Sequence, residues 1–591
     1  MKKTMGRIGY ALLIIIYLGY LEIWKHQIFG WFIAIALFVA VPIIKRKAGV
    51  KKVVVNLCLL ALLLVNAFIS APPTHQVPVS NEKNQVMTDV VTVAQGQVQG
   101  VYNEDQSVEI FAGIPYAAPP VGELRWKEPQ PAQSWDGVRV CDTYAPMAMQ
   151  KRSNPFYAYG TRIVGYNEVP ISLYDNYIEA MSEDCLYVNI WKPADANPGD
   201  KLPVLFYIHG GSLNSGQSYF QPYNGESYAK QGIIVVNISY RLGVFGYLAD
   251  DELAAESSVG TTGNYGLLDQ IAALKWVNDN IESFGGDAGN ITIAGESAGS
   301  SSVNAICVSP LAKGLFRRAI AESSGIVPLV PYHTFRTMKQ ATDVAANIKE
   351  EFGCSTIEEL RSIPAEKLVN TAFQNNEMTV DGYAIVEQPY LTYMAGNNNE
   401  EVVLGGYNGN EADAFLMFNE MPKLDSYVDF LAPIAGEKSA DLAAVWPATS
   451  DADAKLKYKE LVGVAWFGYS HYRWSELMAD NCQPAYLYYF TKQNKSLADW
   501  HAGELPYFYG NIPDNHNYDE SDVALSSTIQ KYILNFVKTG DPNGEGLPQW
   551  YTYNEKPQMV MNFDKEVKMV DNQYLDVFNV FDEYMQIRKE E

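Results

Sequence analysis

Three apolar runs crowd the first 75 residues: Ile8 to Trp24, Ile28 to Ile44 and Val53 to Ala71. Each is close to the roughly 17–25 residues with which a helix crosses a bilayer. Glu22 near the end of the first run and Pro42 inside the second are their main imperfections. A signal peptide ends after one such run, so the pattern predicts a membrane anchor of three transmembrane helices over residues 1–75. Basic residues give it a direction. Lys2, Lys3 and Arg7 precede the first run, and Lys45, Arg46, Lys47, Lys51 and Lys52 separate the second from the third. Only Lys25 lies between the first two. The positive-inside rule then keeps the N-terminus in the cytoplasm and puts everything after Ala71 outside, on a multi-pass anchor in contact with the lipid bilayer. Residues 76–89 read as a polar linker.

From residue 90 to about 585 the periodicity changes to one α/β domain. Val91 to Val93 and Gln97 to Tyr102 read as a small hairpin. Leu186 to Trp191, Val204 to Ile208 and Ile233 to Ser239 are β-rich and apolar at successive positions, as strands covered on both faces are. Leu267, Ile271, Leu274 and Ile281 follow helical spacing. Strands alternating with helices predict one large, mostly parallel sheet with helices on both faces. The organising stretch is Phe284 to Gly299, FGGDAGNITIAGESAG. Ile291 to Ala294 is a buried strand, Ser300 to Val308 is helix-compatible, and Gly295-Glu296-Ser297-Ala298-Gly299 joins them. A Gly-x-Ser-x-Gly between strand and helix is a nucleophile elbow.

Composition narrows the chemistry. The net charge of −24 excludes nucleic acid as a partner, and the 48% apolar, 19% charged content is that of a globular protein. Six cysteines without a CxxC or Cys/His cluster give neither a zinc site nor a dense disulfide framework. A serine nucleophile needs a base, an acid to orient the base, and N–H donors for the oxyanion. The donors come from Ala298, after the serine, and from a loop leaving an earlier strand; His209-Gly210-Gly211-Ser212 directly follows Val204 to Ile208. With His26 and His75 in or beside the anchor and His209 in that loop, the base lies among His333, His471, His501 and His516. Residue chemistry alone leaves these four open.

The chain resembles the type-B carboxylesterases, the family of cholinesterases and para-nitrobenzyl esterases, over roughly Val90 to Phe563. FGGDAGNITIAGESAG is similar to the family's serine signature, and EDCLYVNIWKP (Glu183 to Pro193) to its second signature. GIPYAAPPVGELRW, GNYGLLDQ and FVKTGDPN are further family-like blocks. The resemblance implies an α/β-hydrolase fold and a small-molecule ester substrate, with no cofactor and no metal. It makes Ser297 the nucleophile, His501 (in HAGELPYFYG) the base and Glu411 (in GYNGNE) the acid, with Asp413 as the nearby competitor. It makes Gly211, Ser212 and Ala298 the oxyanion hole, with Ser212 where glycine is usual. Glu296 and Ser323 match supporting positions, and Arg125 of GELRW matches a salt-bridge partner of Glu183. The family's bridge to the EDCLY cysteine, here Cys185, meets Ala148 where its partner belongs. Cys141 is the nearest substitute, and Cys354 also lacks a family partner.

The reading is a membrane-anchored serine carboxylesterase with its domain outside the cytoplasm. Lipase or peptidase activity on the same fold, and a non-catalytic adhesion protein of cholinesterase type, are the alternatives. An unperturbed His501 gives activity that rises with pH near about 6.5.

Overall fold

Strands apolar on both faces are stable only in the middle of a covered sheet, and the chain builds such a sheet. The computed structural model describes residues 2–47, 51–80, 85–163, 176–325, 335–373, 376–496 and 498–590. The chain divides into two units: Met1–Val77 with Arg152–Ala180, and Pro78–Lys151 with Met181–Glu591. Arg152–Ala180, which the sequence reading placed inside the 90–585 domain, belongs to the first unit.

In the second unit thirteen strands among the described residues form one sheet. They are β1 (Met87–Val93), β2 (Gly96–Tyr102), β3 (Val108–Pro115), β4 (Val138–Val140), β5 (Tyr187–Pro193), β6 (Leu202–Ile208), β7 (Ile234–Ile238), β8 (Gly286–Glu296), β9 (Arg318–Glu322), β10 (Val402–Asn408), β11 (Ala485–Phe490), β12 (Met559–Phe563) and β13 (Lys568–Asp571). Their order is β13-β12-β11-β10-β9-β8-β6-β7-β5-β3-β2-β1, with β4 beside β2. Neighbours from β7 to β12 run parallel, while β13 at one edge and β5, β3, β2 and β1 at the other are antiparallel. Val204 to Ile208 and Ile234 to Ile238 are fully buried, and each large aliphatic side chain there contributes about 1.5–3 kcal/mol.

The parallel register places the site. Ile208 pairs with Gly295, Glu296 with Glu322, Glu322 with Gly406, and Asn408 with Phe490. The carboxyl ends of β6, β8, β9, β10 and β11 therefore share one edge, where open α/β sheets bind their ligands. The helix predicted from Leu267 to Ile281 spans Tyr265–Asn280, and the helix after the elbow spans Ala298–Val308.

Arg125 and Glu183 form a nearly buried two-pronged pair, Nε to Oε2 at 2.6 Å and Nη2 to Oε1 at 2.5 Å. Arg125 Nη1 also donates to the carbonyls of Arg361 and Ile363, both at 2.8 Å. Removing one partner from such a pair strands a charge, at about 3–5 kcal/mol. All six cysteines are unbonded, Cys141 and Cys185 both buried. Backbone pairing does the work of the missing bridge: Met147–Ala148 lies alongside Met181–Ser182, tying the Ala148 segment to the chain just before Cys185.

In the first unit the expected apolar runs are the helices α1 (Lys2–Ile23), α2 (Ile28–Lys47) and α3 (Lys52–Ile69). Of the three expected transmembrane helices, two stand as candidates. Only Ile28–Arg46 and Lys52–Ile69 are long and apolar enough among the described residues. Polar contacts tie the three together: Tyr10 Oη donates to Phe38 O and Tyr17 Oη to Leu63 O, both at 2.7 Å, and Asn66 Nδ2 to Gly30 O at 2.9 Å. The inserted stretch packs on the same unit. Helix α4 (Pro155–Ile163) sets Phe156 edge-on to Trp24, Asn176 Nδ2 donates to His26 O at 2.7 Å, and Ile178–Glu179 pairs with Thr74–His75.

Candidate active site

Ser297 stands between β8 and the helix Ala298–Val308 with φ 56° and ψ −126°, a backbone that L-residues avoid. The turn is so tight that a Cβ on Gly299 would lie 2.1 Å from the Ile208 carbonyl oxygen. Close packing between β6 and the elbow thus accounts for that glycine. Ser297 N donates to Glu322 O at 2.9 Å, fixing the elbow to the neighbouring strand end.

Three of the expected residues come together. His501 Nε2 lies 2.8 Å from Ser297 Oγ, and His501 Nδ1 lies 2.7 Å from Glu411 Oε2. The other oxygen of Glu411 accepts from Asn408 N at 2.7 Å. Asp413, the competing carboxylate, pairs instead with Lys459 Nζ at 2.5 Å. Gly211 and Ser212 lie in the loop after β6, with φ 106° and 54°, and Ala298 opens the helix behind the elbow. A hydroxyl on an imidazole that is itself held by a carboxylate has the geometry of an activated nucleophile.

Comparison with known proteins identifies the family. Residues 87–579 match the profile of the carboxylesterase family. The chain belongs to the carboxylesterase family. It is similar to a medium-chain fatty acyl-CoA hydrolase precursor of Anas platyrhynchos, 31% identical over 84% of this chain and 91% of the relative. It is also similar to a fumonisin B1 esterase of Sphingopyxis macrogoltabida, 31% identical over 80% of this chain and 86% of the relative. Among solved structures, a Geobacillus stearothermophilus carboxylesterase has a TM-score of 0.71 at 30% identity, covering 83% of this chain and 99% of its own. A PNB esterase has a TM-score of 0.68 at 28% identity, with 84% and 99% covered. The second unit is thus an α/β-hydrolase, and the protein is a carboxylic ester hydrolase.

The remaining histidines of this carboxylesterase lie elsewhere. His209 is buried in the loop after β6, Nδ1 2.8 Å from Gly210 O and its ring stacked on Tyr240. Burial pushes its pKa down to about 4, so it stays neutral and supports the loop. His471 Nε2 accepts from Ser324 N at 3.2 Å, and His516 is exposed. His333 lies outside the described residues.

Around His501 the carboxylesterase gathers more acid than the expected Glu296 and Glu411. Glu296 Oε1 lies 3.4 Å from His501 Nε2. Ser323 Oγ donates to Glu504 Oε1 at 3.1 Å, and Asn408 Nδ2 donates to Glu504 Oε2. Glu322 Oε1 accepts from Tyr509 Oη at 2.9 Å. All four carboxyls are buried. Sequence reasoning assigned no role to Glu504, Glu322 or Asn408; the acid of HAGEL and the one ending the apolar run RAIAE were the available signals.

Burial pushes the pKa of Glu296 up to about 8 against the pull of His501, and that of Glu504 up to about 7. Burial alone would lower His501, but Glu296, Glu411 and Glu504 more than offset it and hold it up at about 9. These values compete for the same protons: a protonated Glu296 no longer raises the imidazole. The cluster titrates as a unit, and the direction for His501 is upward from the ordinary 6.5. Glu296→Gln removes an anion that favours the imidazolium, so the rising limb of kcat/KM moves to lower pH. A pH–rate profile checks this, and an unmoved or upward-shifted limb refutes it.

An aromatic wall completes the site. The ring centroids of Phe415 and Phe467 lie 5.0 and 4.8 Å from that of His501. Phe467 comes from a π-helical turn, Val464–Gly468, that interrupts an otherwise α-helical run from Asp451 to Asp480. Such turns are frequent at functional sites.

Proposed function

We propose that the protein is a membrane-anchored serine carboxylesterase acting through an acyl-enzyme on Ser297. Ser297 Oγ attacks the ester carbonyl as His501 Nε2 takes its proton, and Glu411 keeps the imidazole oriented and balances its charge. The amides of Gly211, Ser212 and Ala298 receive the oxyanion. His501 then protonates the departing alcohol, and water, deprotonated by the same imidazole, releases the acid. The observation that carries this reading is the continuous contact Ser297 Oγ–His501 Nε2–Glu411, at 2.8 and 2.7 Å. The apolar surfaces of Phe415 and Phe467 favour esters with an apolar acyl or alcohol group.

A fluorophosphonate is expected to stop turnover with one adduct per chain, carried on Ser297. Peptide mass mapping that finds hydrolysis inhibited with Ser297 unmodified sinks the acyl-enzyme. A chain inert to every ester and unlabelled, yet binding a cell-surface partner, restores the adhesion reading.

The anchor reading rests on α2 and α3, whose outer faces expose Phe32, Val39, Leu57 and Leu64. The basic residues between them favour the cytoplasmic side, which places the catalytic domain outside. Cys482 is free and exposed in the catalytic unit. A membrane-impermeant maleimide is expected to label it in intact cells, with Cys482→Ser as control. Labelling only after permeabilisation reverses the orientation.

A further inference from the structure

The loop after β6 bends through three consecutive residues in the left-handed region, Gly211 at φ 106° and Ser212 and Leu213 both at 54°. Serine and leucine disfavour that backbone, so the surroundings have to hold it. Gly211 O accepts from Asn214 N and Ser215 N, both at 3.0 Å, and from Ser215 Oγ at 3.1 Å. Gly243 N donates to Leu213 O at 2.7 Å. The last hold comes from far away in sequence. Gln150 Nε2 donates to Gly216 O at 2.8 Å, and Gln150 Oε1 accepts from Gly216 N at 3.0 Å.

One amide thus takes both backbone polar groups of the residue that closes the loop. Gly216, at φ 118°, lies so near the opening residue that a Cβ would sit 2.3 Å from His209 Nδ1. Gln150 is buried and is itself held by Nε2 donating to Ala148 O at 3.1 Å. Ala148 in turn belongs to the strand pair with Met181–Ser182. Tyr240 Oη donates to His209 O at 2.7 Å where the loop opens, and Gln150 fastens its closing residue, Gly216, to a structure outside the loop.

We infer that Gln150 is a positioning residue for the oxyanion loop, fixing where the Gly211 and Ser212 amides point through its two hydrogen bonds to Gly216. This rests on the reading of those amides as oxyanion donors. Its hydrogen bonds go to Gly216 and Ala148 rather than to the reacting groups, so it acts through the loop. Donors of this kind act on charge that develops in the transition state, so a loosened loop lowers kcat more than it raises KM.

The test uses the full chain in detergent. Gln150→Met keeps the length and removes both hydrogen bonds. Gln150→Glu keeps an acceptor for Gly216 N but sets a carboxylate oxygen against Gly216 O. Both are expected to lower kcat on a p-nitrophenyl ester by about 10²-fold, the scale of a small misplacement of catalytic groups, with KM within about threefold. Affinity for a trifluoromethyl ketone, which forms a charged tetrahedral adduct, should fall in step with kcat/KM while the melting temperature holds. Full kcat and full ketone affinity in both variants overturn the proposal. So does a joint collapse of kcat, KM and melting temperature, which marks a merely structural residue. Ser297→Ala run alongside separates the two readings: turnover there removes the site assignment itself. An inactive Ser297→Ala beside fully active Gln150 variants removes only the positioning role.

Discussion

Ser297→Ala is expected to lower kcat on short aryl esters by about 10⁴–10⁶-fold while leaving the fold and substrate affinity nearly intact. The replaced hydroxyl is the atom 2.8 Å from His501 Nε2, so its loss leaves the base without a nucleophile to activate. Residual rate can come only from water acting beside the oxyanion donors. The fold should hold, because Ser297 is fastened through its backbone: its N–H goes to Glu322 O at 2.9 Å and its carbonyl accepts from Ser301 N at 3.0 Å. Alanine tolerates the positive φ of the elbow about as well as serine does. Steady-state kinetics with thermal melting decide the matter. A correctly folded Ser297→Ala protein with more than about a hundredth of wild-type kcat ends the acyl-enzyme assignment.

Glu411→Gln should cost about 10³–10⁴-fold in kcat, because a neutral amide neither balances the imidazolium nor enforces the tautomer that leaves Nε2 free. Its side chain meets His501 Nδ1 at 2.7 Å and Asn408 N at 2.7 Å, so both of its oxygens are engaged. Asp413→Asn should change kcat by less than about threefold, since that carboxylate faces Lys459. The comparison is internal, two acids two residues apart on one segment. Equal losses, or a larger loss at Asp413, refute the assignment of Glu411.

The sequence made legible whatever is encoded over short distances. The elbow Gly295 to Gly299 and the apolar runs that became β6 and β7 carry their conformation in neighbouring residues. Residue chemistry could not choose His501 over His471 or His516. His501 and Ser297 stand 204 positions apart and meet only because β8, β9, β10 and β11 lie side by side in that order. The family resemblance supplied that choice. The clustered Glu322 and Glu504 were hidden for the same reason, since their burial depends on which strand ends the sheet assembles. Phe467 was hidden because a π-helical turn leaves no period in the apolar pattern.

The N-terminal unit is sewn from two separate lengths of chain, residues 1–77 and 152–180, and the second is an excursion from the hydrolase sequence. Truncation at residue 77 is therefore not a clean excision. It bares Phe156, which rests on Trp24, and Asn176 and Ile178–Glu179, which pair with the His26 carbonyl and with Thr74–His75. A form without the N-terminal helices needs the 152–180 excursion replaced by a short polar loop as well. The same arrangement withstands a single cut. A protease that nicks the connector between Ser70 and Val77 cuts the covalent tether but leaves the excursion, still part of the larger fragment, clasped by the helices, so the two pieces should stay together until detergent or denaturant parts them.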